Sequence, residues 1–297
     1  MTTARRFTST SARGIDTQCL PYRLFQKAKR LGVWDPRDID FSQDVEDWKS
    51  LTEDQRIETL RSLAQFQAGE EAVTLDLLPL IHTIAREGRL EEEMFLTTFL
   101  FEEAKHTEFF RLFLDAVGET GDLTAFHTPH YRRIFYEILP EAMQRLLVDP
   151  SAPAQARAST VYNMYVEGVL AESGYFIFRN GLGRLGKMPG LLRGVQYIAR
   201  DESRHIGYGT YLLQRLISQD PSLFDLVRAT MDELTRYPLN EDLPPREFNA
   251  FGVPVTLLQD YAASRVQNRL EVLARALTRS PDEAIAVTEA DLGIEEA

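Results

Sequence analysis

The sequence predicts an all-α protein built around four long central helices. Apolar residues recur at intervals of three and four in several long segments, which is the spacing of one helical face. No segment of useful length alternates apolar and polar residues as a β-strand would. Clusters of glycine and proline separate the helical segments, as expected for turns. We therefore expect a single helical domain over 18–279.

The first two central helices are defined by their apolar faces. The first face combines Leu60, Leu63, Phe66, Glu70, Val73 and Leu77. The second combines Leu96, Phe99, Leu100, Glu103, His106 and Phe110. Gly88 is expected to separate the two helices, and a loop over 117–130 to follow the second.

The C-terminal half supplies the other two central helices, over 156–179 and 191–218. In all, the pattern predicts helices over 131–146, 156–179, 191–218, 222–235 and 255–279. The prolines of DPSAPAQ are expected to end the first of these. Glycine-rich and proline-rich connections separate the later ones, over 180–190 and 236–254.

Composition narrows the class of protein. Hydrophobic residues make up 44% of the 297 residues and charged residues 26%, which is typical of a soluble globular protein. No apolar run approaches the length of a membrane span. The net charge of −12 opposes binding to nucleic acids and to anionic membranes. The single cysteine, Cys19, excludes an intrachain disulfide and fits a reducing compartment, so we expect a cytoplasmic protein.

Both ends of the chain are expected to be disordered tails. Residues 1–17 are rich in Arg, Ser and Thr and lack acids until Asp16, a composition that organelle transit peptides share. A frayed tail is the favoured interpretation. Residues 280–297 are acidic and are expected to be disordered as well.

Two segments place a glutamate three residues before a histidine. These are Glu103 with His106, and Glu202 with His205. Residues three apart share a helical face, so each pair has the spacing to bind one metal ion. Because the spacing also arises by chance, the pairs need support from their context.

That context is a glutamate on an apolar helical face upstream of each pair. Glu70 lies 33 residues before Glu103, and Glu167 lies 35 residues before Glu202. Ferritin-like bundles hold two metal ions with a glutamate from each of two helices and a Glu-x-x-His pair from each of the other two. Four carboxylates in a bundle core would require such cations. The order therefore predicts a dinuclear metal site.

Neighbouring acids leave alternatives to these ligands. The helical faces favour Glu70 and Glu103 over the acids beside them, whereas Glu172 competes with Glu167. The acids that spacing alone does not exclude are Glu71, Glu102, Asp201 and Glu172.

Six stretches resemble one protein family in their order and spacing. They are VWDPRDIDFSQDVEDW, GEEAVT, FEEAKHT, IFYEILPE, VYNMYVEG and DESRH. Together they resemble the ligand-binding oxidases related to the ribonucleotide reductase small subunit, over roughly residues 18 to 235. The resemblance implies a homodimer that activates O2 at a Mn/Fe dinuclear cofactor and binds a long-chain fatty acid. A di-iron cofactor is the alternative.

The resemblance also assigns roles to individual residues. The implied metal ligands are Glu70, Glu103, His106, Glu167, Glu202 and His205. An ether cross-link made after O2 activation would join Val73 to Tyr162. Three further side chains are expected around the ligands, namely Trp34 on an electron route, Asp201 as a histidine acceptor and Tyr175.

Tyr162 does not fit this role on a regular helix. It precedes Glu167 by five residues, which is about 140° around the helix axis. A π-bulge would turn Tyr162 towards the core, and such bulges are frequent at functional sites. The role that the resemblance implies for Tyr162 therefore requires a π-bulge in the third central helix, and a packing tyrosine is the alternative interpretation.

Three other functions compete with an oxidase of unidentified substrate and electron donor. A ribonucleotide reductase small subunit commonly has a radical tyrosine shortly after the first Glu-x-x-His, where this chain has Phe110. A ferritin-like metal store or a helical lipid-binding protein would not need Val73 and Tyr162 together.

Overall fold

Two short helices precede the central bundle, and the sequence analysis did not predict them. The computed structural model describes residues 14–236, 245–278 and 283. Helix α1 (Leu20–Leu31) has a proline in its first turn, where a missing N–H removes no helical hydrogen bond. Helix α2 (Ser42–Ser50) follows it. Each has only two to three turns of apolar spacing, which gives a weak signal.

The first two central helices are both present, as predicted. Helix α3 (Glu53–Arg86) begins at a capping box headed by Thr52. Helix α4 (Leu90–Val117) ends at Gly118, which has a left-handed φ of 82° that favours glycine. The two helices pack along each other. Gly88 turns the chain between them with a φ of 71°.

The shorter helix predicted over 131–146 is present but irregular. It consists of α5 (Pro129–Arg132), a π-helical segment (Arg133–Ile138) and α6 (Leu139–Arg145). The segment packs against α3 and the third central helix. The sequence analysis did not predict its π-helical geometry.

The third central helix contains the predicted departure from α-helical geometry. It runs through α7 (Ala152–Ser159), a π-helical segment (Thr160–Ala171) and α8 (Glu172–Asn180). The predicted bulge is confirmed and extends over 12 residues. The helix starts four residues before the predicted position 156, because Pro153 occupies its first turn, where proline is tolerated.

The fourth central helix is α9 (Pro189–Gln219), which packs along the Thr160–Ala171 segment. Gly209 permits this close approach, since a Cβ at that position would lie 2.2 Å from the Cβ of Asn163. Helices α10 (Leu223–Thr235) and α11 (Val255–Ala274) complete the described chain.

The predicted all-α, ferritin-like architecture is confirmed. Within 14–236 and 245–278 the extended structure is limited to one isolated bridge between Phe248 and Pro254. Among the described residues, no helix has the length and apolar character needed to cross a membrane. The single domain over 18–279 stays a prediction. The predicted tails lie mainly outside the described residues, in 1–13 and beyond 278.

Candidate metal centre

Six side chains from the four central helices meet in the middle of the bundle. Their ligand atoms form two groups, and within each group all the atoms lie within 4.8 Å of one another. The first group is Glu70, Glu103, His106 and Glu202, and the second is Glu103, Glu167, Glu202 and His205. All six residues are buried. The structure therefore brings together every residue of the predicted ligand set.

Glu103 and Glu202 belong to both groups, with one oxygen on each side. His106 Nδ1 lies 3.8 Å from Oε2 of Glu103 and 3.5 Å from Oε1 of Glu202. His205 Nδ1 lies 3.3 Å from Oε1 of Glu103 and 3.6 Å from Oε2 of Glu202. The other oxygen of each carboxylate thus faces the other histidine, which is the arrangement of two bridging ligands.

The terminal carboxylates complete the two groups. Glu70 Oε2 lies 3.6 Å from His106 Nδ1, and Glu167 Oε1 lies 3.6 Å from His205 Nδ1. These separations are too long for hydrogen bonds. They fit atoms around a shared ion, because ligands bound at about 2.1 Å lie about 3 Å or more apart.

Unpartnered polar atoms at the centre provide a test of whether cations fit. Buried polar atoms are nearly always hydrogen-bonded. Among the described residues, those without a hydrogen-bond partner at the centre are both Glu103 oxygens, His106 Nδ1, Glu167 Oε1, Glu202 Oε2 and His205 Nδ1. Burying them without partners would be costly, and two divalent cations would satisfy them all. The residues present fit a dinuclear site.

The pKa values of the central residues show how closely their charges interact. Burial lowers the pKa of His106, but the hydrogen bond to Asp201 and the nearby carboxylates of Glu103, Glu202 and Glu70 outweigh burial and hold it well above its usual value. Burial also lowers the pKa of His205. The nearby acids outweigh burial, the charge of Glu202 most of all, and hold the pKa of His205 well above its usual value. Burial also raises the pKa of Glu70 and Glu167. Cations would displace the protons held there.

Asp201 is the hydrogen-bond acceptor for His106, as the resemblance implied. Its Oδ2 lies 3.3 Å from Nε2 of His106 and also accepts from Nε1 of Trp34 at 2.8 Å and from Nζ of Lys105 at 2.9 Å. Its Oδ1 accepts from Arg204 at 2.7 Å. These bonds leave Nδ1 of His106 facing the centre.

Glu102 is the acceptor for His205, a role that the sequence analysis missed. Its Oε2 lies 2.9 Å from Nε2 of His205, and its Oε1 accepts from Arg204. Glu102 directly precedes Glu103, as Asp201 directly precedes Glu202. Each acid therefore supports the histidine of the other helix. The repeat of acid, Glu, x, x, His is the sequence signal that could have identified Glu102.

The Thr160–Ala171 segment brings the predicted cross-link partners together. Tyr162 is fully buried, and its hydroxyl donates to the backbone oxygen of Val73 at 3.1 Å. One residue on, Asn163 donates to Oε2 of Glu167 at 2.9 Å and orients that carboxylate. The sequence analysis missed Asn163, which lies four residues before Glu167 on the same side of the helix.

Tyr175 lies close to the metal centre but makes no contact that defines a role. Its buried hydroxyl has no hydrogen-bond partner among the described residues. Burial, followed by the charge of Glu202, raises the pKa of Tyr175 well above its usual value. Its ring stacks on Phe66 with 5.3 Å between centroids.

A cavity of about 480 Å³ opens beside the metal centre. At its inner end it is lined by the four carboxylates of the centre, and at its outer end by the exposed residues Thr235 and Gln259. Apolar side chains line most of the space between, among them Val73, Phe135, Val166, Leu170, Leu258 and Val266. The cavity therefore links the carboxylates to the surface along an apolar path.

Comparison with known proteins agrees with this geometry. A family model described as the ribonucleotide reductase small chain matches residues 23–239. A variant of an R2-like ligand-binding oxidase with an aerobically reconstituted Mn/Fe cofactor has 45% sequence identity and a TM-score of 0.84, and the match covers 88% of this chain and 96% of that one. The chain belongs to the R2-like ligand-binding oxidase family.

Two further structures of this family give similar agreement. The R2-like ligand-binding oxidase from Sulfolobus acidocaldarius has 43% identity and a TM-score of 0.87, covering 94% of this chain and 98% of that one. A variant reconstituted with an Fe/Fe cofactor has 44% identity and a TM-score of 0.82, covering 90% and 98%. The chain is accordingly an oxidoreductase with a dinuclear metal site.

Proposed function

We propose that this R2-like ligand-binding oxidase holds one manganese and one iron ion, joins Val73 to Tyr162 by an ether bond, and oxidises a hydrophobic small molecule. A long-chain fatty acid would occupy the cavity, and the active form would be a cytoplasmic homodimer. The observation that carries the proposal is the set of unpartnered ligand atoms beside the contact between Tyr162 and Val73.

The six central residues would divide between the two ions. Glu70 and His106 would bind one ion, Glu167 and His205 the other, and Glu103 and Glu202 would bridge them. Carboxylate-rich sites with imidazole suit manganese and iron, whereas thiolates would favour zinc or copper. Once bound, the two reduced ions would supply two of the electrons that convert O2 to water.

The cross-link would supply the other two electrons. Val73 would lose a C–H hydrogen and Tyr162 its O–H hydrogen as the new C–O bond forms, which releases two electrons and two protons. Reduction of O2 to two water molecules consumes four electrons and four protons, so solvent supplies the remaining two protons. The contact at 3.1 Å already holds the phenol oxygen of Tyr162 beside Val73. The enclosing helices exclude water from the pair.

The cavity supports an apolar ligand with one polar end. Its inner end is lined by the carboxylates proposed as metal ligands, and a bound fatty acid would place its own carboxylate there. The apolar lining contributed by Phe135, Leu170 and Leu258 would hold the hydrocarbon chain. A hydrophobic substrate would use the same path.

A ribonucleotide reductase small subunit is less well supported. Phe110 lies where such proteins commonly carry their radical tyrosine, and its ring stacks on Phe66 with 5.1 Å between centroids. The Tyr162 hydroxyl, which the proposed oxidase would require, donates instead to the backbone oxygen of Val73.

Mass spectrometry of the Tyr162→Phe variant tests the proposal. Wild-type protein loaded with Mn(II) and Fe(II) and exposed to O2 should yield a peptide pair joined through Val73 and Tyr162, lighter by two hydrogens than the separate peptides. Tyr162→Phe should lose the joined pair and keep both metals. Tyr165→Phe is the matched control, since Tyr165 lies on the same helical segment and lines the cavity. A joined pair in Tyr162→Phe, or none in wild type, would contradict the proposal.

A further inference from the structure

A row of aromatic rings leads away from His205. Phe99 stacks on His205 with 3.6 Å between ring centroids, and Phe95 lies 6.0 Å from Phe99. Tyr208 follows at 5.3 Å from Phe95, and Tyr211 at 6.4 Å from Tyr208. Tyr208 and Tyr211 also follow His205 at intervals of three residues along α9, which places them on one side of that helix.

Tyr208, the first tyrosine in this row, has a proton acceptor beside its hydroxyl. Its hydroxyl donates to Oε2 of Glu92 at 3.0 Å, and both side chains are buried. Arg215 lies 3.5 Å from the same oxygen, and Arg89 lies 3.6 Å from the other oxygen of Glu92. Burial raises the pKa of Glu92, and these two guanidinium groups oppose that effect and favour the charged carboxylate, which can accept a proton.

This arrangement suits a tyrosine that is oxidised and reduced. A buried phenol is neutral at physiological pH, and removing an electron from it is favourable only if the phenol proton leaves at the same time. Glu92 lies at hydrogen-bonding distance to accept that proton and to return it. Tyr131 is a useful comparison with Tyr208. Its hydroxyl donates to the backbone oxygen of Gln65, which cannot take a proton.

We propose that Tyr208 is a redox-active tyrosine that draws oxidising equivalents out of the metal centre when neither the phenol of Tyr162 nor a substrate supplies the electrons there. Tyr208 gives one electron to the oxidised centre along the ring row and one proton to Glu92, which leaves a neutral tyrosyl radical. A thiol reductant outside the protein then returns one electron through Tyr211, and Glu92 returns the proton. The thiol is oxidised to a thiyl radical and releases its own proton to solvent.

This role rests on the dinuclear oxidase activity but does not require the Val73–Tyr162 cross-link. Removing the phenol of Tyr162 should in fact increase the demand on Tyr208, because the centre then lacks its nearest donor. The proposal and the cross-link can therefore be tested apart in a Tyr162→Phe background.

Electron paramagnetic resonance after rapid mixing of the metal-loaded protein with O2 tests the role of Tyr208. We expect a tyrosyl signal in Tyr162→Phe that narrows when the protein is grown with deuterated tyrosine. The signal should be lost in Tyr162→Phe/Tyr208→Phe and kept in the control Tyr162→Phe/Tyr131→Phe. Tyr162→Phe/Glu92→Gln should lower the radical yield with unchanged metal content, since it removes the proton acceptor and preserves the shape of the side chain.

Three results would overturn the proposal. One is a tyrosyl signal that persists without Tyr208. Another is a signal that is lost instead in Tyr162→Phe/Tyr165→Phe, because the hydroxyl of Tyr165 lies 3.1 Å from His130 Nε2, which could also accept a proton. The third is normal O2 uptake with no organic radical, which would leave the oxidase intact and exclude this route. Absence of O2 uptake in metal-loaded wild type would contradict the oxidase function as well.

Discussion

The two histidines of the metal centre have the same inner geometry but different outer surroundings. Nδ1 of both His106 and His205 faces the shared carboxylates, and Nε2 of each is bound to an acid from the other Glu-x-x-His helix. Behind His106, the acceptor Asp201 is bonded to an indole and an ammonium group as well. Behind His205, the acceptor Glu102 is bonded to Arg204, and the imidazole face is covered by Phe99.

This difference separates a polar side of the centre from an apolar one. Trp34 connects the His106 side to the half-buried Tyr197, with 5.3 Å between ring centroids, so the polar side extends towards solvent. The His205 side is enclosed by the fully buried rings of Phe99 and Phe95. A protein can thus give two nearly symmetric metal positions unlike properties through the groups behind the ligands.

Arg204 joins the two sides, and its loss should have the largest effect. Its buried guanidinium donates to both Glu102 and Asp201. Arg204→Leu would leave two buried carboxylates without this partner, and we expect the free energy of unfolding to fall by about 3–5 kcal/mol. Chemical denaturation measures this change. Arg193→Leu, at an exposed position on the same helix, should change it by less than about 0.5 kcal/mol.

Equal losses in the Arg204 and Arg193 variants would show that Arg204 does not bridge the two sides. Binding of both ions should also weaken in Arg204→Leu, since both histidine acceptors lose their shared donor. Weaker binding of only one of the two ions in Arg204→Leu would contradict a role of Arg204 on both sides of the centre.

Replacing one histidine acceptor at a time should affect one metal position at a time. Asp201→Asn should lower the affinity for the ion at His106, and Glu102→Gln should lower the affinity for the ion at His205, each by about tenfold to a hundredfold. Each amide keeps the shape of the side chain but removes the charge that orients the imidazole. Stepwise metal titration followed by elemental analysis distinguishes the two positions. If both variants weaken the same ion, the crossed pairing of acids and histidines is wrong.

Trp34→Phe should have the smallest effect on stability and should act only on the polar side. The variant removes one hydrogen bond to Asp201, which keeps three other partners, so we expect a loss of about 1 kcal/mol. Both ions should remain bound. Reduction of the fully formed, oxidised centre by an external donor should become slower than in wild type. Stopped-flow absorption spectroscopy measures both rates, and an unchanged rate in Trp34→Phe would contradict an electron route on the polar side.

The sequence predicted which acids and histidines meet at the centre, because helical periodicity decides which side chains share a face. Glu70 and Glu103 were preferred to their acidic neighbours on that basis, and both lie at the centre. The π-bulge followed from the conflict between the positions of Tyr162 and Glu167. Long amphipathic helices and repeated motifs carry this information within one segment of chain.

The groups behind the ligands were harder to predict because they depend on contacts between distant segments. Glu102 is 103 residues from His205, and the sequence analysis treated it only as a weaker ligand candidate. The sequence around Arg204 does not show that it contacts both Glu102 and Asp201, because the contact with Glu102 forms only when α4 and α9 pack together. Helix α7 begins four residues before its predicted start. Proline breaks a helix when it lies in the interior, but it is well tolerated in the first turn, where Pro153 lies.

Anomalous X-ray diffraction from metal-loaded crystals, recorded at the manganese and iron absorption edges, tests the central claim most directly. The account predicts two metal peaks between the central helices, one bound by Nδ1 of His106 and the other by Nδ1 of His205, with Glu103 and Glu202 touching both. One peak of each element would support the Mn/Fe assignment. A single peak, or two peaks that do not share Glu103 and Glu202, would contradict the account of a bridged dinuclear centre.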